Sequence, residues 1–400
     1  MTAFIVFLFI LMIPFFYKSV FKMNVKLIGV YAFLILIREV VATINVYFFR
    51  LKGSHGDAVL FHETAEIIAS TGEYTFVLGH PAFANFLGFI YRVSEVSFML
   101  GHQLSILAFA LSSVVLLKII SVLDFERYKV QTLLVYGSLP SIVLNGTFVL
   151  RESYEVLFMM MAVYFGIKLI KNNRNVLFNF SFLISLILMG VLHRALMAYA
   201  FFLLFIFIWW ATNRPETLKK SKKRMIAALY TILILVLIPF LGAVFADVMF
   251  IFYNFSIIDT IAHHREVATV SNASYGVSLD LSGPISFVVS FLKIYSYYLF
   301  APFIWNISNF LDTYAVFESI VRMILIYYSI KIWRESYGEN RSYLFLMLLI
   351  FVGISFLWSV GTINYGTAIR HRMMDWWIIS ILGTPYLVRF LRRINKYIYR

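Results

Sequence analysis

Apolar residues in this chain fall into long blocks separated by short polar connections. Blocks near 2–17, 27–47, 103–122, 130–148, 154–170, 176–192, 195–211, 225–250, 313–332, 343–360 and 374–390 approach the ~17–25 residues a helix needs to cross a ~30 Å hydrocarbon layer. In lipid a helix closes its backbone hydrogen bonds on itself, so each block predicts a membrane-crossing helix. The first block, Thr2 to Tyr17, has neither a basic leader nor a small-residue cleavage site and reads as a retained helix. Basic residues follow it at Lys18, Lys22 and Lys26, and recur at Lys168–Asn175, at Lys219, Lys220, Lys222, Lys223 and Arg224, at Lys331–Arg341 and in the tail Arg389–Arg400. Placing these on the cytoplasmic side predicts about eleven crossings with the N-terminus outside. Residues 284–306 are apolar enough to enter the membrane, but a full crossing there would carry Lys331–Arg341 outside. They are expected to form a re-entrant or interfacial element, its backbone satisfied by protein or by a wet cavity.

Two outer segments are long enough to hold structure. In 50–101, Ala58, Phe61, Ala65 and Ile68 share one face of an amphipathic helix, a turn follows around Gly72, Gly79 and Pro81, and Phe83 to Val93 is a second half-apolar helix. Both are expected to lie along the membrane surface. The second segment, 252–312, contains His263, His264 and Arg265, a turn-rich stretch at 271–283, and Ala301-Pro302-Phe303-Ile304-Trp305, whose Trp suits the interface.

Composition fixes the class. Of 400 residues, 62% are hydrophobic and 14% charged, against about 25% charged in a soluble domain, and mean hydropathy is +0.85. This excludes a soluble globule and predicts one all-α, polytopic membrane domain spanning 1–400. A net charge of +14 would suggest nucleic acid in a soluble protein. Here the basic residues sit in short connections and set orientation, so no nucleic-acid partner is expected. The absence of cysteine excludes disulfides, iron–sulfur clusters and thiolate zinc sites. The sequence has no internal repeat, low-complexity tract or Gly-rich phosphate loop.

With this threading the outer face collects Asp57, His62, Glu63, Arg151, Glu152, His193, Arg194, His263, His264, Arg265, Arg370, His371, Arg372 and Asp375, against the positive-inside trend. Arg151 and Arg194 stand in very short connections and stay near the bilayer surface. Guanidinium forks match phosphate oxygens in pairs and never lose their charge. Arg151, Arg194, Arg265, Arg370 and Arg372 are therefore candidate ligands for a diphosphate. The plainer alternative is that each snorkels to lipid phosphate or pairs with an acid, as Arg151 could with Glu155 at helical spacing. Residues two apart on a helix point to different sides, so Arg370 and Arg372 cannot share one ligand surface. Arg372, deeper toward the span, is the expected essential one.

Asp57 could serve as a general base or help hold a cation, and equally could be the N-cap of the surface helix. His62 and Glu66 share a helix face but lack a third metal ligand, and the adjacent His263 and His264 do not converge by themselves. Arg38-Glu39, mid-span, reads as a pair buried in the bundle. Met159-Met160-Met161 reads as helix-packing material.

The context Gly56-Asp57-Ala58-Val59-Leu60-Phe61-His62, followed by Ala65 and Gly72 on the first large outer loop, resembles the GT-C superfamily of polyprenyl-lipid-dependent glycosyltransferases. Pro140-Ser141 with Leu150-Arg151-Glu152, then Pro302-Phe303-Ile304-Trp305, then Gly366-Thr367-Ala368-Ile369-Arg370-His371-Arg372, resemble stretches of bacterial Wzy-type and EpsG-like repeat-unit polymerases. The resemblance implies a GT-C-like bundle with surface helices in its first periplasmic loop. It further implies transfer of a glycan from an undecaprenyl-diphosphate donor at the periplasmic side of a bacterial inner membrane, making O-antigen or another surface polysaccharide. The N-terminus would be periplasmic and the C-terminus cytoplasmic.

On that basis Asp57, or else His371, takes the acceptor proton, while Arg151, Arg194, Arg265, Arg370, Arg372 and His62 bind diphosphate and glycan. Membrane lipid and a chain-length regulator are the further partners implied. No cofactor is expected, and without an Asp-Xaa-Asp or Asp-Glu pair at Asp57 a divalent cation has no support. Two alternatives stand beside this reading: a GT-C transferase adding one sugar from a polyprenyl-monophosphate donor, and a flippase for lipid-linked oligosaccharide. Transporters place ionisable groups near the bilayer midplane, whereas here the charges are expected to crowd one rim.

Overall fold

A computed structural model describes residues 1–75, 77–171, 176–212, 277, 280, 282–307, 310–362 and 364–398. The expected span at 225–250, the basic group at 219–224, and His263, His264 and Arg265 lie outside the described residues. The helices are α1 (Thr2–Phe16), α2 (Lys18–Phe21), α3 (Val25–Thr43), α4 (Asp57–Thr71), α5 (His80–Val93), α6 (Phe98–Val122), α7 (Lys129–Gly137), α8 (Pro140–Asn145) and α9 (Glu152–Lys171). They continue with α10 (Val176–Leu192), α11 (Arg194–Thr212), α12 (Pro284–Phe300), α13 (Phe310–Glu335), α14 (Gly338–Gly361), α15 (Tyr365–His371) and α16 (Met373–Ile398). No β-strand occurs among the described residues.

Polar side chains start several helices: Asn24 Oδ1 accepts from Leu27 N–H on α3, Ser97 Oγ from Leu100 N–H on α6, and Asn364 Oδ1 from Thr367 N–H on α15. Five helical stretches are long and apolar enough to cross a membrane: Val25–Phe48, Phe98–Val122, Glu152–Lys171, Arg194–Ala211 and Gly338–Gly361. Shorter apolar helices are Thr2–Phe16, Val176–Leu192 and Pro284–Phe300. Large apolar side chains such as Phe4, Phe33, Leu36, Phe205, Val288, Phe317 and Phe356 face outward. An outward apolar belt of this extent suits lipid rather than water. The architecture is that of a polytopic helical membrane protein.

The block at 130–148 is not one helix. Pro140 lacks the N–H that would bond the preceding turn, so α7 stops at Gly137 and α8 restarts at Pro140. The buried Glu318 Oε1 accepts from Ser141 N–H at 2.8 Å, and the chain is irregular from 146 to 151. Residues 284–306 hold the continuous helix α12. Phe291 meets Phe356 while Tyr295, one turn on, bonds Ser355 at 2.9 Å. Successive turns of α12 thus meet one turn of α14. Arg38 and Glu39 do not pair with each other. Adjacent positions face different neighbours: Arg38 donates to Leu34 O and Gly137 O over the Phe109 ring, and Glu39 accepts from Gln103.

The bundle has two chemically distinct ends. At one, Lys22 pairs with Glu126, Lys171 donates to Val122 O, and Arg389 donates to Tyr128. At the other, α4 and α5 form a hairpin over a separate small core, with the expected face of Ala58, Phe61, Ala65 and Ile68 packed on Phe83, Leu87 and Tyr91.

Candidate functional site at the hairpin end

Five segments bring ionisable groups together at the hairpin end. Gly56, with φ +71°, turns the chain into α4, and Gly79, with φ +92°, turns it into α5. Such values favour glycine because it has no Cβ to clash. Gly79 N–H donates to Val191 O at 2.9 Å, fastening the hairpin to the α10–α11 turn. Gly56, not Asp57, is the N-cap of α4. Asp57 occupies the first helical position, where the helix dipole favours a carboxylate, and its Oδ2 accepts from Arg370 Nη1 at 2.6 Å. Arg370 Nε also lies 2.9 Å from Glu152 Oε1. One guanidinium therefore ties α15 to the starts of α4 and α9. Arg151 sits beside this pair, with Nε 3.2 Å from Glu155 Oε1 and Nη1 donating to Leu192 O at 3.2 Å. The Arg151–Glu155 contact expected from helical spacing is thus formed. Arg194 packs against Gly79.

Three histidines surround these arginines. His80 opens α5, and its ring stacks on Phe61 with centroids 5.2 Å apart and planes 18° from parallel. Partial burial and the nearby Arg151 hold His80 below the ordinary imidazole value. His371 is 8% exposed, shares a hydrogen bond between Nδ1 and Thr362 Oγ1, and stacks on Trp358 at 3.9 Å. His193 meets the same indole edge-on at 4.9 Å. Burial, followed by the Arg370 charge, holds His371 well below the usual range, and burial with Arg151 lowers His193 to about 3.

The remaining expected site residues lie elsewhere. Arg372 turns away from Arg370, as helix geometry requires, toward the end of α12. Its Nε donates to Tyr298 O at 2.6 Å and its Nη2 to Ala301 O and Tyr297 O. A cation on the last carbonyls of a helix satisfies groups that have no partner within the helix. His62 is inside the hairpin, with Nδ1 2.9 Å from Tyr91 OH and its ring against Phe98. Asp375, expected on the outer face, is fully buried and pairs with Arg322 at 2.6 Å.

Sequence reasoning missed Arg322 and Glu318, which stand one turn apart on α13. Their signal was present: two charges four residues apart inside an apolar block. They line a small, partly open pocket with Leu139, Ser141, Ile142, Ile369, Arg372 and Trp376. His80 was passed over as part of a Gly-His-Pro turn. Among the described residues no group of three or more His, Asp or Glu is placed to hold a metal. No family model, curated protein or solved structure matches the chain.

Proposed function

We propose that the protein is a membrane glycosyltransferase with a GT-C-like arrangement of about eleven crossings, polymerising surface-polysaccharide repeat units at the periplasmic side of a bacterial inner membrane. The observation that carries this reading is the set Asp57, His80, Arg151, Glu152 and Arg370, drawn from segments far apart in sequence to one end of the bundle beside a surface hairpin. The acceptor hydroxyl attacks the anomeric carbon of an undecaprenyl-diphosphate-linked oligosaccharide. The carbon–oxygen bond to the diphosphate breaks, and the electron pair leaves on the diphosphate oxygen. Arg370 and Arg151 meet the charge that grows there, an interaction stronger in the transition state than before it. Asp57 and Glu152 hold Arg370 in place for that role.

A deletion strain tests the reading. A polymerase leaves single repeats on the final carrier, seen as one short band on a polysaccharide gel, whereas unchanged long polymer removes the proposal. A second reading, transport of lipid-linked oligosaccharide, draws on the buried Glu318, Arg322 and Asp375, since ionisable groups inside a bundle also mark translocation paths. It predicts repeat units stranded on the cytoplasmic face of the deletion strain.

A further inference from the structure

We infer that His80, rather than Asp57 or His371, is the group that takes the proton from the acceptor hydroxyl. This rests on the glycosyl-transfer reading and assigns its base. Most proton acceptors at the hairpin end are committed: Glu152 to Arg370, Glu155 to Arg151, and His193 Nδ1 to the Ala195 N–H. Asp57 Oδ2 is 2.6 Å from Arg370 Nη1, so this carboxylate is engaged in an ion pair. His371 has its Nδ1 on Thr362, one ring face on Trp358, and 8% exposure. His80 is exposed, and among the described residues no protein group hydrogen-bonds its ring.

Stacking on the buried Phe61 sets the His80 ring plane. The groups that bias its charge come from every neighbouring element: Asp57 on α4, Arg151 and Glu152 at the start of α9, His193 in the α10–α11 turn and Arg370 on α15. Burial and Arg151 lead, so His80 is neutral at pH 7 and ready to accept. In the step itself the hydroxyl proton moves to an His80 ring nitrogen as the oxygen bonds the anomeric carbon. The diphosphate leaves with the bonding pair beside Arg370 and Arg151, and the imidazolium then returns its proton to water.

The test uses the full chain in lipid nanodiscs, with lipid-linked oligosaccharide extracted from the source cells as both donor and acceptor, and follows glycosidic bond formation against pH. Wild type should show an acid limb in kcat/KM below pH 6.5 that reports the base. His80→Ala should lose about 10²-fold or more, lack that limb, and regain rate on adding free imidazole. His80→Gln, which keeps a planar polar group on Phe61, should fold and insert like wild type and be equally slow without rescue. A wild-type chain that forms no glycosidic bond removes the glycosyl-transfer reading and the base with it. A wild-type chain that transfers, with His80→Gln matching its rate and its acid limb, removes the base alone.

Discussion

Asp375→Asn should destabilise the bundle severely, whereas the double substitution of Arg322→Met with Asp375→Leu should be tolerated. Arg322 Nη2 and Asp375 Oδ2 are 2.6 Å apart, with side chains 3% and 0% exposed. Removing one partner of a buried pair leaves an uncompensated charge and costs about 3–5 kcal/mol. The surroundings decide where in that range the cost falls. Arg322 lies 5.7 Å from the Phe351 centroid, near the limit of useful cation–π attraction. Arg372, lining the same pocket, adds a like charge, but Glu318, one turn away on α13, offers the stranded guanidinium a second carboxylate. With Glu318 available the lower end applies, about 3 kcal/mol, or roughly 10²-fold in the ratio of folded to unfolded protein. Replacing both charges by apolar groups of similar volume removes the attraction and the desolvation cost together, and buried pairs so replaced are often no less stable. Denaturant-driven unfolding in detergent micelles, followed by tryptophan fluorescence, measures Asp375→Asn, the double variant and its two component singles, Arg322→Met and Asp375→Leu. Single substitutions costing under about 1 kcal/mol, as exposed pairs do, would show that water fills the pocket and screens the pair. A double variant as unstable as the sum of the singles would show that the two charges do not act on each other.

Four further outcomes are expected. Arg370→Lys should fold normally but slow transfer by about 10²-fold, because one ammonium cannot replace the fork held between Asp57 and Glu152. Arg372→Lys should instead lose at least about 2 kcal/mol of stability, since it gives up charge-assisted bonds to the carbonyls ending α12; paired activity and unfolding measurements that rank the two variants the other way would refute the assignment. At Gly383 an added Cβ would lie 2.7 Å from the Leu325 carbonyl oxygen, so Gly383→Ala should force α13 and α16 apart at a cost of about 1–3 kcal/mol, read as a lower unfolding midpoint. His62, His193 and His371 are all held below the free imidazole value, chiefly by burial. Below pH 6.5 the unfolded chain then binds more protons than the folded one, so stability is complete above that pH and declines as pH falls, for His193 down to about 3. A flat unfolding midpoint from pH 7.5 to 5 would mean these imidazoles are hydrated.

The crossing helices and the surface hairpin were legible because their signals are local. Block length and apolarity mark a span, and the spacing of Ala58, Phe61, Ala65 and Ile68 marks a buried helix face, whatever the rest of the chain does. The break at Pro140 was equally local, a residue without an N–H inside an apolar block, but hydropathy alone reads through it. What periodicity does not encode is pairing. Arg370 and Asp57 meet across 313 positions, and Arg151 could be assigned Glu155 only because that acid is one turn away on the same helix. Asp375 was assigned to the outer face because it stands at the start of the block 374–390, which is also where a rim residue sits; its partner on α13 shows it buried instead. His80 shows the same limit from the other side. Flanked by Gly79 and Pro81 it reads as turn, whereas the fold holds it beside the arginines through the bond from Gly79 N–H to Val191 O and the stack on Phe61. The shortness of the connections at Arg151 and Arg194 was the one sequence feature that pointed at the site as a whole. A connection of a few residues holds its charge at the end of two helices, and where several such connections meet, their charges must either find each other or bind something else. Here the acids have found the arginines: Asp57 and Glu152 share Arg370, and whatever displaces Asp57 from that guanidinium also detaches the hairpin's first turn from α15.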